Sequence, residues 1–297
     1  MKYDVKNCRL CPRKCGADRT VRRGVCGADN RIMAARAALH YWEEPCISGT
    51  NGSGTVFFSG CSLKCCFCQN YNISNKNHGK EISIDRLGEI FLELQEKKAH
   101  NINLVNPTHY VPWIIQAIDL IRPQLKIPVV YNSGGYETIE TLGMLQGYVD
   151  IFLPDLKYYS SERAAKYSQA ENYFEYASKA ILKMAEMTGE TVIDENGIMQ
   201  RGLIIRHLVM PSGRLDSIKL LDWISENIPD DKFMISLMSQ YTPIENCTEY
   251  PEINRCISAE EYDSVLRRAE KYDFNGYYQD ISSADESYTP QFDFEGL

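Results

Sequence analysis

From residue 55 to about residue 271, short apolar runs alternate with segments of helical spacing, and that alternation leaves few folds open. Strands are predicted at Val56–Ser59, Ile102–Val105, Val129–Tyr131, Val149–Leu153, Leu203–Val209 and Phe233–Leu237. Between them, Leu87, Ile90, Phe91 and Leu94 recur at helical spacing behind Ser83 or Asp85 as a cap. Further helices are predicted over Pro112–Ile121, Ile139–Leu145, Ser217–Asn227 and Ala259–Lys271, with one or two more within Ser161–Thr188. Strands that alternate with helices form a parallel sheet with right-handed crossovers. About six such units make a partial (β/α) barrel, open on one side, where eight would close it. The carboxyl ends of the strands then form one rim, where active sites of such barrels lie. A cysteine loop at 61–68 follows the first strand, and Asn106-Pro107-Thr108-His109, Asn132-Ser133, Asp155, Lys157, Met210-Pro211-Ser212 and Ser239-Gln240-Tyr241 follow the others. The tail beyond Gly276 is acidic and aromatic, without periodicity.

Eight of the eleven cysteines fall into two groups, four at 8–26 and four, Cys66 included, at 61–68. Cys61, Cys65 and Cys68 are spaced C-x3-C-x2-C. A closed iron–sulfur cube uses four cysteines, so three leave one iron without a protein ligand, and an open metal position is where chemistry happens. The alternatives are a zinc loop or scattered core thiols. Zinc wants a fourth ligand in register, and Cys66 adjoins Cys65, so its side chain is expected to point elsewhere. The second group, Cys8, Cys11, Cys15 and Cys26, reads C-x2-C-x3-C-x10-C among Gly16, Gly24 and Gly27. Its spacing does not separate zinc from a second iron–sulfur cluster. So short a glycine-rich segment has little apolar content with which to fold unless a metal contributes. Cys247 and Cys256 are too loosely spaced to pair as ligands and read as core or surface thiols. The chain thus divides into a cysteine-rich metal-binding segment, 1–54, and a core domain, 55–297. Within the head, Ile32–Tyr41 fits a strand or a helix.

Hydrophobic residues make up 44%, enough for a large core. A net charge of −8 argues against a duplex nucleic-acid binder. No apolar run has the length of a signal-peptide core or a membrane span, so a cytoplasmic protein without a membrane partner is expected. In that compartment clustered cysteines point to metals rather than to disulfides.

The three-cysteine loop, with Phe67 before its last ligand and Gln69-Asn70-Tyr71 after it, resembles the radical S-adenosylmethionine (radical SAM) superfamily. Asp155-Leu156-Lys157 and the N-terminal cysteines narrow the resemblance to relatives of pyruvate formate-lyase activating enzyme that carry such a segment. The resemblance implies a (β/α)6 barrel, a [4Fe–4S] cluster on Cys61, Cys65 and Cys68, and SAM held at its open iron. It implies Phe67 beneath the adenine, or else in the core, and Lys157 with Asp155 near the SAM carboxylate, or else an ordinary ion-paired strand end. Asn106 and Thr108 stand where the family has a Gly-Gly-Glu motif on the methionine amino group, which is a departure. His109 reads as a proton donor or a polar turn residue. Asn132 and Ser133 take the place of ribose or cation contacts. Arg206 and His207 lie on one strand, so one should face the site and the other away. His40, Trp42, Glu43, Glu44 and Pro45 also resemble this subfamily, with no role attached.

The activity implied is reductive cleavage of SAM to a 5′-deoxyadenosyl radical that abstracts hydrogen from a substrate. The implied partners are an electron donor such as flavodoxin or ferredoxin and a glycyl-radical enzyme to be activated. In activating enzymes with ferredoxin inserts the extra cysteines follow the cluster loop; here they precede it, which loosens the transfer of that activity. A small-molecule or peptide substrate is the second reading. A non-catalytic Fe–S electron-transfer or interaction module is the third, and it would need neither an open iron nor a SAM pocket.

Overall fold

A computed structural model describes residues 3–281 and 290–297. Residues 282–289, part of the tail read as aperiodic, lie outside the described residues. The strands are β1 (Ile32–His40), β2 (Ser53–Phe58), β3 (Lys80–Ile82), β4 (Ile102–Val105), β5 (Val129–Ser133), β6 (Ile151–Pro154), β7 (Val192–Ile193), β8 (Met199–Leu208), β9 (Met234–Met238) and β10 (Gly276–Tyr278). The helices are α1 (Pro45–Ser48), α2 (Tyr71–Ser74), α3 (Ile84–Glu96), α4 (Val111–Ile121), α5 (Ile139–Met144), α6 (Ser161–Ser168), α7 (Tyr173–Thr188), α8 (Arg214–Asn227) and α9 (Ala259–Tyr272).

The six expected strands pair parallel in the order β2-β4-β5-β6-β8-β9. β10 extends this ladder beside β9. At the other edge β1 runs antiparallel to β2, and β3 antiparallel to β1. The edges are different strands, so the sheet stays an open partial barrel. The ambiguous stretch at 32–41 is therefore a strand. Residues 32–54, grouped with the head on composition, are hydrogen-bonded into the sheet through β1 and the start of β2. The segment 161–188 forms two helices because Gln169, left-handed at φ 52, ends α6.

Strand alternation sorts the side chains. Ile102 and Leu104 face outward onto Leu87, Ile90 and Phe91 of α3 and Ile114, Ala117 and Ile118 of α4. Phe152, Leu203 and Ile205 pack on Ala177, Ala180, Ile181 and Met184 of α7. The inward-facing Val130, Ile151, Leu153, Ile204 and Met234 meet Cys46 and Ile47 of α1, which closes the amino end of the barrel. Among the described residues, no helix is long and apolar enough to cross a membrane.

β10 depends on a residue without a side chain. Gly276 sits opposite Ile235 at φ 153, where an added Cβ would lie 1.9 Å from the Ile235 carbonyl oxygen. Backbone cannot yield as a side chain can. Gly276→Ala should cost about 2 kcal/mol, read as a lower midpoint in thermal denaturation; an unchanged midpoint would show that β10 is not docked as described.

Candidate active site

The cysteine loop leaves β2 and is pinned by its backbone. Cys61 N–H donates to the Cys26 carbonyl (2.9 Å), Lys64 N–H to that of Ser168 (3.2 Å), and Cys66 N–H to that of Tyr167 (2.9 Å). All three candidate ligands are free thiols. Ser168 Oγ donates to Cys65 Sγ at 2.9 Å, and Cys68 Sγ lies 3.3 Å from Ser74 Oγ. Burial, reinforced by the Cys65 and Cys68 thiols, pushes Cys61 up to about 12. Burial pushes Cys65 up to about 11, against the attraction of Lys157. Thiols this protonated bind iron with release of protons. Cys66 faces Cys247 instead, as its position beside Cys65 suggested. Among the described residues no three Cys, His, Asp or Glu side chains close on a single-ion position. A cube spreads its thiolates over separate irons, so its ligands need not meet at one point, and this donor set fits it.

A cavity of about 240 Å³ opens directly beside these thiols. Cys65, Phe67, Cys68, Asp155, Lys157 and Arg206 line it, with Tyr241 opposite. The Phe67 ring is 5.8 Å from that of Tyr241, centroid to centroid. Lys157 Nζ donates to Asp155 Oδ2 at 2.6 Å, and Arg206 Nε to Asp155 Oδ1 at 3.0 Å. Burial alone would raise Asp155, but Lys157 and Arg206 outweigh it and hold the carboxyl below its ordinary value. Both acid and ammonium thus stay charged. Aromatic faces beside a fixed ammonium and carboxylate suit an adenine and an amino-acid zwitterion. A larger open groove of about 1000 Å³, bordered by Arg13, Tyr136 and Lys179, has no cysteine in its wall.

Other expected contacts lie elsewhere. Asn132 sits beneath the cavity, its Oδ1 accepting from Arg206 Nη2 at 2.6 Å. Arg206 faces inward, whereas His207 faces the helix layer, bonded to the Leu156 carbonyl (2.6 Å) and Ser217 Oγ (2.9 Å). His207 is therefore corrected from a cofactor contact to a buried packing residue, as strand alternation requires for one of the pair. Asn106, left-handed at φ 57, donates to the Gly60 carbonyl and shapes a turn under the cysteine loop. His109 Nε2 donates to the Ser59 carbonyl at 2.8 Å, and burial lowers its pKa to about 3, so it is a neutral turn residue.

Thr108 and Ser133 are also turned from the cavity, toward Glu137, which the sequence did not single out. Thr108 Oγ1 donates to Glu137 Oε1 at 2.7 Å and Tyr131 OH to Oε2 at 3.2 Å. Ser133 Oγ accepts from Gly135 N–H at 3.3 Å. Burial raises Glu137 from 4.5 to about 7, against the pull of these hydroxyl donors. The folded state therefore keeps a proton between pH 4.5 and 7 that the unfolded chain has released. Its stabilising effect is complete below that window and is lost as pH rises through it. Glu137→Gln should flatten the stability–pH curve there, removing a fall of about 3 kcal/mol. Denaturant melts at several pH values check this, and parallel curves for variant and wild type would reject it.

The head lies against the same rim. Thr138 and Thr141 hydroxyls donate to the Leu10 carbonyl (3.3 and 2.7 Å), and Arg13 Nε to that of Ser62 (2.9 Å). Buried Arg19 donates to the His109 carbonyl at 2.6 Å and lies 4.8 Å over the Trp113 ring. Cys8, Cys11 and Cys26 are buried, and Cys15 is partly so. The Cys15 and Cys26 sulfurs come within 3.4 and 3.5 Å of the point where Gly24 would carry a Cβ.

The radical SAM superfamily model matches residues 55–199, from β2 to the start of β8. The uncharacterized protein MJ0674 of Methanocaldococcus jannaschii is 33% identical over 288 residues, covering 93% of this chain and 78% of its own. Among solved structures, Streptococcus suis SuiB bound to precursor peptide SuiA aligns with a TM-score of 0.51 at 15% identity, over 75% of this chain. That is a likeness of fold, and this chain spans 48% of SuiB. A domain of pyruvate-formate lyase-activating enzyme from Bacteroides vulgatus aligns with a TM-score of 0.41 at 14% identity, over 57% of this chain and 93% of that domain. A three-thiol loop at the rim of an open parallel barrel, the family match over that rim and a relative along most of the length lead to one conclusion: this chain belongs to the radical SAM superfamily.

Proposed function

We propose that the chain reductively cleaves SAM and uses the resulting radical to take a hydrogen atom from a backbone Cα of a partner protein, as a glycyl-radical-activating enzyme does. The observation that carries the SAM site is the cavity shared by Cys65, Cys68, Asp155, Lys157 and Arg206. When bound, a [4Fe–4S] cluster would supply the electron that cleaves SAM. The chain's own residues do the rest. Cys61, Cys65 and Cys68 hold the metal, and Lys157 and Asp155 bind the carboxylate and ammonium of the methionine moiety. Phe67 and Tyr241 exclude water from the reacting end. The cavity, of about 240 Å³, opens at the carboxyl rim beside Cys65 and Cys68. The substrate then approaches from the solvent side, which an inserted backbone loop can do. A small molecule or short peptide is the second reading, favoured by the same opening if the substrate is narrow.

The test is anaerobic reconstitution with SAM and a low-potential reductant. 5′-Deoxyadenosine should form, and a glycyl-radical signal should appear on an added candidate partner. Product that rises only with a small molecule or peptide would replace the first reading with the second. Lys157→Ala should weaken SAM binding about tenfold with the cluster assembled, by calorimetry; unchanged affinity would remove Lys157 from the site.

We also infer a second metal, zinc or iron–sulfur, at Cys8, Cys11, Cys15 and Cys26. Four free thiols spaced C-x2-C-x3-C-x10-C in a segment poor in apolar residues support it, with the Cys15 and Cys26 sulfurs both beside Gly24; the described side chains do not yet close on one ion, so metal uptake would draw the four together. Replacing Cys61, Cys65 and Cys68 together with Ala should abolish the reduced-cluster resonance and all SAM cleavage. That variant should still carry about one zinc, or one iron–sulfur complement, per chain. Surviving cleavage would sink the first assignment, and a metal-free variant the second.

A further inference from the structure

Glu43 and Glu44 precede α1 and enter the barrel from the end opposite the cysteine loop. Glu43 Oε1 accepts from Asn103 Nδ2 (3.0 Å) and Asn132 Nδ2 (3.2 Å), and Oε2 from Arg206 Nη1 (3.1 Å). Arg206 then reaches Asp155, and Asp155 reaches Lys157. An unbroken line of charge-assisted bonds therefore runs from the loop before α1 to the cavity wall. Glu44 lies in the same layer with Oε2 buried and without a partner. Around and below this layer Val130, Ile151, Leu153, Ile204 and Met234 pack with Cys46 and Ile47, and the buried polar side chains beside them, Ser53, Thr55 and Asn101, are uncharged. Packing does not require charge at this depth, and well-packed apolar replacements of buried ion pairs are often as stable. A second function for the layer is needed, and its direction supplies one. Both Glu43 and Arg206 lie outside the residues matched by the superfamily model, 55–199.

We propose that Glu43 is a positioning residue for SAM. It fixes the Arg206 guanidinium against Asp155, so that Asp155 and Lys157 present one carboxylate and one ammonium to the methionine moiety in fixed places. This rests on the SAM site proposed above. Without Glu43, Arg206 loses its lower anchor, and Asp155 becomes the acceptor of a mobile guanidinium. Charged groups held by outer partners bind more tightly than the same groups left free to reorient.

The reconstituted protein tests this with Glu43→Gln, which keeps size and removes charge. Iron content and the reduced-cluster resonance should match wild type. The SAM dissociation constant should rise about tenfold, and SAM should perturb that resonance less at equal concentration. Glu43→Asp should restore part of the affinity. In a double-mutant cycle, adding Glu43→Gln to Arg206→Met should cost nothing further, because Glu43 acts through Arg206. If Glu43→Gln fails to fold, Glu43→Asp and its cycle with Arg206→Met give the same reading. A lower melting temperature with wild-type SAM affinity, or additive losses in the cycle, would overturn the inference while leaving the SAM site standing. Absence of SAM binding by the wild-type protein would overturn both.

Discussion

The interior of this barrel depends on one cation. Arg206 bonds Glu43, Asn132 and Asp155 at once, and its side chain is 14% exposed. A guanidinium suits the place because its planar fork serves several acceptors in fixed directions, which a lysine ammonium cannot do. Removing one member of a buried pair leaves an uncompensated charge at a cost of about 3–5 kcal/mol. The strands β4, β5, β6 and β8 are thus tied to one another across the lumen as well as along the ladder.

Above this layer chemistry and fold meet. The cysteine loop is held from one side by the end of α6, through Tyr167 and Ser168, and from the other by the head, through Cys26 and Arg13. Neither support is in the loop itself. The thiols can therefore be short-tethered and still fixed in place, which an open iron site needs if the ligand is always to enter on the same side.

Much of this was legible in the sequence. β4 is read to the residue because Asn101 and Asn106 bound a short strand-like segment in which Ile102 and Leu104 supply the outward apolar face. The structure brings Cys65, Phe67, Cys68, Asp155, Lys157 and Arg206 to one cavity because the parallel strand order makes the carboxyl ends converge. What failed has physical causes. β10 is three residues long, and its pairing is specified by β9 rather than by its own pattern. β3 and β7 are edge pieces of three and two residues, of which Ile82 alone is buried. The break between α6 and α7 rests on a left-handed Gln169, where no glycine or proline marks it. Thr108 and Ser133 were misplaced because a buried carboxyl, Glu137, draws them aside, and its direction is set by tertiary packing. Glu43 stands in a stretch that resembles the subfamily, but nothing local says that it points up a barrel.

The head's bonds to the rim span long stretches of chain. Leu10 meets residues 138 and 141, and Arg13 meets residue 168. During synthesis the head must wait for bonding partners made more than a hundred residues later. Contacts of such separation close late, after the local strand–helix units have formed. The support of the cysteine loop is therefore a product of the assembled fold rather than of the loop's own neighbourhood in the sequence.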